Sequence, residues 1–146
     1  MKLPVAYVDI RASAHATEDL ERVKRAIRNL LPEEHTEEIV FKTEALKGHY
    51  GNPIVLLETR LEDEALLKKF MENAARRLGD HDKHEVFRSL DRFLRKSDLY
   101  LRFDKQAALE KELRLRPDDP IHVRIHFRTS NRETIIDLCR QLGLTP

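Results

Sequence analysis

Polar and apolar residues alternate strictly in two segments of the chain, one near each end. In residues 5–15, one face carries Ala6, Val8, Ile10, Ala12 and Ala14, and the other carries Tyr7, Asp9, Arg11, Ser13 and His15. Residues 121–128 alternate in the same way, with polar positions at His122, Arg124, His126 and Arg128. Because successive side chains of a strand point to opposite faces, both segments predict strands with one buried face and one wet face.

Shorter apolar patterns predict the remaining elements. Further strands are expected over residues 38–45, 54–61 and 99–103. Apolar residues at helical spacing predict helices over residues 18–31, 62–78, 86–94 and 105–115, and after residue 131. Thr17 is expected to cap the first helix and Gly79 to end the second, with residues 80–84 forming a polar linker.

The predicted order of elements is β-α-β-β-α-α-β-α-β-α. Strands with one wet face and amphipathic helices predict an α+β fold, in which helices cover one face of a mixed or antiparallel sheet. The other face of the sheet is then open, and we expect the function there. The length of 146 residues fits a single domain over residues 1–146.

Composition narrows the class of protein. The chain is 40% hydrophobic and 36% charged, as in soluble globular proteins. It contains no apolar run of about 20 residues and no signal-peptide pattern, so we expect no membrane association and a cytoplasmic location. Its one cysteine, Cys139, lies on an apolar helical face and is predicted to be buried. The heavy use of Glu, Lys and Arg is typical of thermophiles.

A glycine-containing loop separates two of the predicted strands. Its residues are Lys47, Gly48, His49, Tyr50, Gly51, Asn52 and Pro53. Gly48, Gly51 and Pro53 are predicted to shape the loop, and the side chains between them are suited to an anionic or aromatic ligand. A rigid turn with no ligand explains the same residues, and composition does not decide between the two interpretations.

The polar row of the late strand is the second candidate site. Alternate side chains on a strand lie about 6.6 Å apart, close to the phosphate spacing of an extended nucleic acid strand. Arg11 and Arg102 extend this row if their strands are neighbours. The second half of the chain is net basic although the whole chain carries a net charge of only +1. The alternative is a solvated sheet face whose cations pair with acidic residues across strands.

Metal binding and catalysis are not indicated. His122 and His126 would lie about 13 Å apart along a strand, too far apart to share an ion. The chain has no P-loop, no dinucleotide glycine fingerprint and no nucleophile elbow. We therefore expect no catalytic residue, no cofactor and no metal.

Three segments carry a resemblance to a known family. They are Val-Ala-Tyr-Val-Asp-Ile-Arg-Ala-Ser-Ala-His-Ala, Lys-Gly-His-Tyr-Gly-Asn-Pro-Ile and Ile-His-Val-Arg-Ile-His-Phe. Together they resemble the small archaeal RNA-binding proteins described as predicted exosome subunits. The resemblance implies a fold similar to that of the large-subunit ribosomal protein that binds the smallest ribosomal RNA. It also implies a role connected with RNA and no described catalytic activity.

The leading hypothesis is a non-catalytic RNA-binding protein, an accessory of the archaeal exosome or of RNA processing. Lys47, His49, Tyr50 and Asn52 would contact RNA at one edge, while Arg11, Arg102, His122, Arg124, His126 and Arg128 would contact it across the open face. Two alternatives stay open. The same face could mediate protein interaction or homodimerisation, or the glycine loop could hold a small anionic ligand or an enzymatic site.

Overall fold

A computed structural model describes residues 3–48 and 50–146. The sheet has six strands, in the spatial order β2-β3-β1-β6-β5-β4, and every neighbouring pair is antiparallel. The strands are β1 Val5–His15, β2 Lys42–Lys47, β3 Pro53–Leu61, β4 Leu94–Arg95, β5 Asp98–Phe103 and β6 Ile121–Phe127. The strictly alternating segments form β1 and β6, which lie side by side at the centre of the sheet.

Helices of the described chain pack on one face of this sheet. They are α1 Leu20–Arg28, α2 Glu64–Arg77, α3 Asp80–Arg88, α4 Leu90–Phe93, α5 Lys105–Leu109 and α6 Arg132–Gln141, with a 3-10 helix at Glu33–Glu38. One apolar cluster joins strand residues such as Ile10 and Val123 to helix residues such as Ile27, Phe70 and Cys139. The predicted α+β fold, with a sheet covered on one side, is therefore confirmed, and the sheet is antiparallel.

The first helix begins later than predicted. Asp19, not Thr17, caps α1, and its carboxylate accepts a hydrogen bond of 3.0 Å from the backbone N–H of Glu21. Asp19 is the better cap because Leu20, the first residue of the helix, follows it directly.

The region after α2 also differs from the prediction. Gly79 has an extended backbone (φ −72°), whereas a glycine that ends a helix usually has a positive φ, and it stands directly before α3. Residues 80–84, predicted as a linker, are the first part of α3, which the buried Val86 anchors in the core. Polar residues dominate this helix because it packs on the core through so few side chains.

Two other boundaries were wrong. The second strand begins at Lys42, after the 3-10 helix and the buried Ile39. Residues 105–115 are helical only in α5. Beyond it, Lys111 has φ 61°, and Leu113 and Leu115 form isolated bridges to Leu78 and Phe103. These bridges hold the backbone extended where helical spacing alone predicted a longer helix.

Cys139 is fully buried, and burial raises the pKa of its thiol to about 12.

Across the described residues, no helix has the length and apolar character needed to cross a membrane.

Candidate nucleic-acid interface

The strand register arranges the open face of the sheet in rows. Arg11 on β1 lies directly opposite His122 on β6, and His122 lies opposite Arg102 on β5. On the other side of Arg11, Glu58 on β3 pairs with Arg11 and with Lys42 on β2. Residues that are far apart in sequence therefore form one row across five strands.

The next two rows along the strands contain ion pairs. Asp9 accepts two hydrogen bonds from Arg60, from Nε at 2.6 Å and from Nη2 at 2.9 Å. Asp98 accepts a hydrogen bond of 3.0 Å from Nη2 of Arg124, and its Oδ1 lies 2.7 Å from Nδ1 of His126. Nη1 of Arg124 also lies 3.9 Å from Asp9. These cations are held by carboxylates of the protein itself.

The pKa values follow from this pairing. Burial alone would raise the pKa of Asp98, but the hydrogen bonds from Arg124 and His126 outweigh burial and hold that pKa below its ordinary value. The same hydrogen bond raises the pKa of Arg124. Asp98 is therefore ionised at neutral pH, and it neutralises part of the basic row predicted from the sequence.

Arg11 and Arg102 differ from Arg124. Both are exposed, and across the described part of the chain neither side chain has an ion-pair or hydrogen-bond partner. Between them, His122 is half-buried, and burial together with the charges of Arg11 and Arg102 lowers its pKa. His122 is thus a neutral hydrogen-bonding group between two uncompensated guanidinium groups at neutral pH.

A groove of about 860 Å³ runs over this part of the face. Its charged and aromatic lining comprises Arg11, Lys42, Arg60, Arg92, Arg95, Arg102 and Arg124, together with Asp9, Glu58, Tyr100 and His122. Cations outnumber carboxylates in this lining, which gives the groove a positive potential. Tyr100 is 39% exposed and presents an aromatic ring inside it.

Several lining residues were not among the predicted site residues. Tyr100 carried a signal, because it is two positions from Arg102 on the same strand and therefore shares its face. Arg92 and Arg95 carried none, since no sequence pattern places α4 and the two-residue β4 at the edge of the sheet beside the groove. Their position depends on how that edge folds over the groove.

The carboxyl-terminal end of β6, at His126 and Arg128, does not contribute to the groove. Arg128 follows the last residue of the strand, and its Nε donates a hydrogen bond of 3.0 Å to the carbonyl of Leu3. His126 is stacked on Tyr7, with ring centroids 4.6 Å apart. Neither residue is part of the lining. The predicted row of four residues is thus divided, with its His122 end in the groove.

The glycine loop closes the β2–β3 hairpin. The Gly48 N–H donates to the carbonyl of Asn52 at 2.7 Å, and the Gly51 N–H donates to the carbonyl of Gly48 at 2.9 Å. Gly51 has φ 78°, and a Cβ added to Gly48 would lie 2.9 Å from the Ile54 side chain. The positive φ of Gly51 favours glycine, whereas a Cβ at Gly48 would displace the end of the Ile54 side chain.

The loop side chains lie apart from the groove lining. Tyr50 and Asn52 are exposed, and Tyr50 is 87% exposed. Pro53 begins β3 opposite the exposed Lys47, and His49 lies outside the described residues. A second cavity of about 240 Å³ separates this loop from residues 15–17. The structure therefore places the two predicted parts of the RNA surface at separate positions.

A charged cluster that was not predicted lies at the end of β1. His15, Glu18 and Asp119 bring potential metal-ligand atoms within 4.8 Å of one another. The ammonium of Lys105 lies among them and donates hydrogen bonds to Glu18 at 3.1 Å, to Asp119 at 3.0 Å and to the carbonyl of Ser13 at 2.6 Å. Lys105 thus supplies the positive charge that these carboxylates need.

Comparison with known proteins identifies the family. A family model described as RNA binding matches residues 7–127. RNA-binding protein PAB1135 of Pyrococcus abyssi is 30% identical over 145 residues, which cover 96% of this chain and 94% of that protein.

Solved structures of similar proteins share this fold. Protein AF2318 of Archaeoglobus fulgidus has a TM-score of 0.79 and 37% identity, over 94% of this chain and 99% of that one. Mth689 of Methanothermobacter thermautotrophicus, a DUF54 protein, has a TM-score of 0.77 and 30% identity, over 94% and 97% of the two chains. The chain therefore belongs to the RNA-binding family, as the resemblance of its segments predicted.

Proposed function

We propose that this protein binds single-stranded RNA in the groove on the open face of its sheet. The observation that carries the proposal is the pair Arg11 and Arg102, two exposed guanidinium groups in one groove without carboxylate partners among the described residues. Such groups are available to phosphates at no cost in broken ion pairs. Membership of the RNA-binding family supports the same ligand.

The groove also offers a stacking surface. Tyr100 lies next to Arg102 on the open face, and unstacked bases of single-stranded RNA stack on exposed aromatic rings. A duplex keeps its bases stacked internally, so it could use the cations of the groove but not this ring. This contrast favours single strands over duplexes.

Binding of a fluorescent single-stranded oligonucleotide tests the proposal. The double substitution Arg11→Ala/Arg102→Ala should lower affinity about a hundredfold or more, because each charge-assisted hydrogen bond that it removes contributes about 1.5–3 kcal/mol. It should also reduce the salt slope by about 0.7 if the two arginines share one phosphate and by about 1.4 if they contact two, since each neutralised phosphate contributes about 0.7 to the slope.

A matched control separates the groove from net charge. Arg22→Ala/Arg140→Ala removes the same charge from exposed positions of α1 and α6, on the helical side. The control should bind nearly as tightly as the wild type. Equal losses in both double variants would contradict binding in the groove.

The exposed hairpin loop is a second contact in this proposal. Lys47, Tyr50 and Asn52 would meet RNA that extends beyond the groove, and His49 belongs to the same loop. Tyr50→Ala should reduce the affinity for a long oligonucleotide by a stacking contribution of about 1–3 kcal/mol, and leave short oligonucleotides unaffected. Equal losses for long and short oligonucleotides would argue against a separate loop contact.

The cellular role we propose is that of a non-catalytic accessory in RNA processing, with the archaeal exosome as its partner.

One observation favours an additional protein partner or a second copy of this chain. All residues of β2 are exposed, and β2 is an edge strand with unpaired backbone groups. Light scattering at increasing concentration would detect a homodimer, and crosslinking in native extract would identify bound RNA and proteins together.

A further inference from the structure

The row Arg11–His122–Arg102 has the geometry of a site for a single small anion. The three residues occupy matching register positions on β1, β6 and β5. Adjacent strands are about 4.8 Å apart, so the backbones that carry the two arginines are about 10 Å apart. Two long side chains rooted at this separation can converge on one group above His122.

Among the described residues, no carboxylate forms an ion pair with Arg11 or Arg102. Asp9 is bound by Arg60, and Asp98 is bound by Arg124 and His126. Glu58 lies opposite Arg11 in the register, yet it forms no ion pair within the described part of the structure. Asp9 and Asp98 therefore do not take up the charge of Arg11 and Arg102, and Glu58 forms no ion pair with Arg11 within the described residues.

The charge and the donors of the row match a phosphate monoester better than a phosphodiester. An internal phosphodiester carries one negative charge and two non-bridging oxygens. A terminal monoester carries about −1.5 to −2 at pH 7 and has three strong acceptor oxygens. Two guanidinium groups, with five N–H donors each, can bind such a group on two sides, and His122 can donate one further hydrogen bond.

We infer that Arg11, His122 and Arg102 form a binding site for the terminal phosphate of an RNA strand. This inference rests on the proposed RNA-binding function and names the part of the RNA that the centre of the groove recognises. The terminal base would then lie near Tyr100, which is two positions from Arg102 on the same strand and face. Lys42, Arg92 and Arg95 line the same groove and would meet the phosphates that follow.

The experiment compares one RNA sequence with three different ends. An oligonucleotide with an internal fluorophore is prepared with a 5′-phosphate, with a 3′-phosphate, or with hydroxyl groups at both ends. A hydroxyl-ended oligonucleotide two nucleotides longer serves as the control for added charge. We expect one phosphorylated form to bind about tenfold more tightly than both hydroxyl forms. The form that gains affinity identifies the end that is recognised.

Variants assign the preference to the row. In Arg11→Ala/Arg102→Ala the phosphorylated and hydroxyl forms should bind alike, whereas Arg22→Ala/Arg140→Ala should keep the preference. His122→Ala should reduce the preference by a smaller factor. Circular dichroism with thermal unfolding verifies that each variant is folded. In ³¹P NMR, the resonance of the terminal phosphate should shift on binding to wild-type protein and not on addition of the arginine double variant.

The outcomes separate this inference from the function on which it rests. If the phosphorylated forms bind like the hydroxyl forms, and the arginine substitutions weaken all of them equally, the groove binds RNA but the terminal-phosphate site is wrong. If the longer hydroxyl form matches the phosphorylated ones, the preference is due to charge alone and the site is again wrong. If no oligonucleotide binds at low salt, the proposed function itself fails.

Discussion

Histidine and arginine side chains lie together at both ends of β6, but the two ends present them differently. At one end, His122 lies between Arg11 and Arg102, whose charges have no carboxylate partner in the described residues. At the other end, Arg124 and His126 both contact Asp98. A cation on an open sheet face is available to a ligand only if the neighbouring strands have not already placed a carboxylate beside it.

The cause of the difference is the register. Asp98 pairs directly with His126, and Arg102, four residues further along β5, pairs with His122. The strand β5 therefore places a carboxylate beside one end of β6 and a guanidinium beside the other. An RNA phosphate can bind Arg102 directly, whereas it would have to displace Asp98 to bind Arg124, which costs about as much as it returns.

Removing the carboxylate of Asp98, which binds Arg124 and His126 at one end of β6, should have the largest effect on stability. Asp98→Ala breaks two hydrogen bonds at a largely buried carboxylate and leaves Arg124 without its main partner. We expect the free energy of unfolding to fall by about 2–3 kcal/mol, measured by urea denaturation. Asp91→Ala, which breaks the exposed pair with Arg132, should cost less than about 1 kcal/mol. Equal costs would show that the Asp98 pairs contribute no more than an exposed ion pair.

Substitutions of Arg102 and Arg124 should affect different properties, the first RNA affinity and the second stability. Arg102→Ala should lower RNA affinity about tenfold and leave the free energy of unfolding nearly unchanged, because its charge is used only by the ligand. Arg124→Ala should do the reverse, reducing stability and changing affinity by less than about threefold. Anisotropy titrations and urea denaturation of both variants provide the comparison. A similar loss of affinity in both variants would remove the distinction between the two ends of β6.

Acid should reduce the stability that the Asp98 ion pairs contribute. The pKa of Asp98 is lowered from the ordinary 3.8, so its ionised form stabilises the folded state. That contribution is complete above the unfolded pKa and is lost as pH falls through the lower folded pKa. The contribution of the ionised carboxylate to the stability difference between wild type and Asp98→Ala should therefore be complete at about pH 5 and shrink below about pH 4. A difference that stays constant down to about pH 2.5 would show that ionisation of Asp98 does not matter.

The sequence predicted the positions of the strands well, but it did not predict which polar side chains on them are free to bind a ligand. Strict alternation identified β1 and β6 because the period of two is a property of each strand alone. The helix predicted over residues 86–94 begins earlier, as α3 at Asp80, because the first residues of α3 are polar and only Val86 is buried. Arg92 and Arg95 were not assigned to the site because nothing in the sequence places the end of that helix, α4, and the two-residue β4 beside the groove.

What the sequence determined by itself is the fold class, the family and the face of each strand on which a residue lies. These depend on local periodicity and on motifs within short segments. The tertiary structure alone decided which charges are neutralised, because pairing between strands brings Asp9 and Asp98 to particular cations across long separations in sequence. His-Val-Arg-Ile-His contains no information about its neighbours. Only the assembled sheet distinguishes the His122 end, open to a ligand, from the end that Asp98 holds.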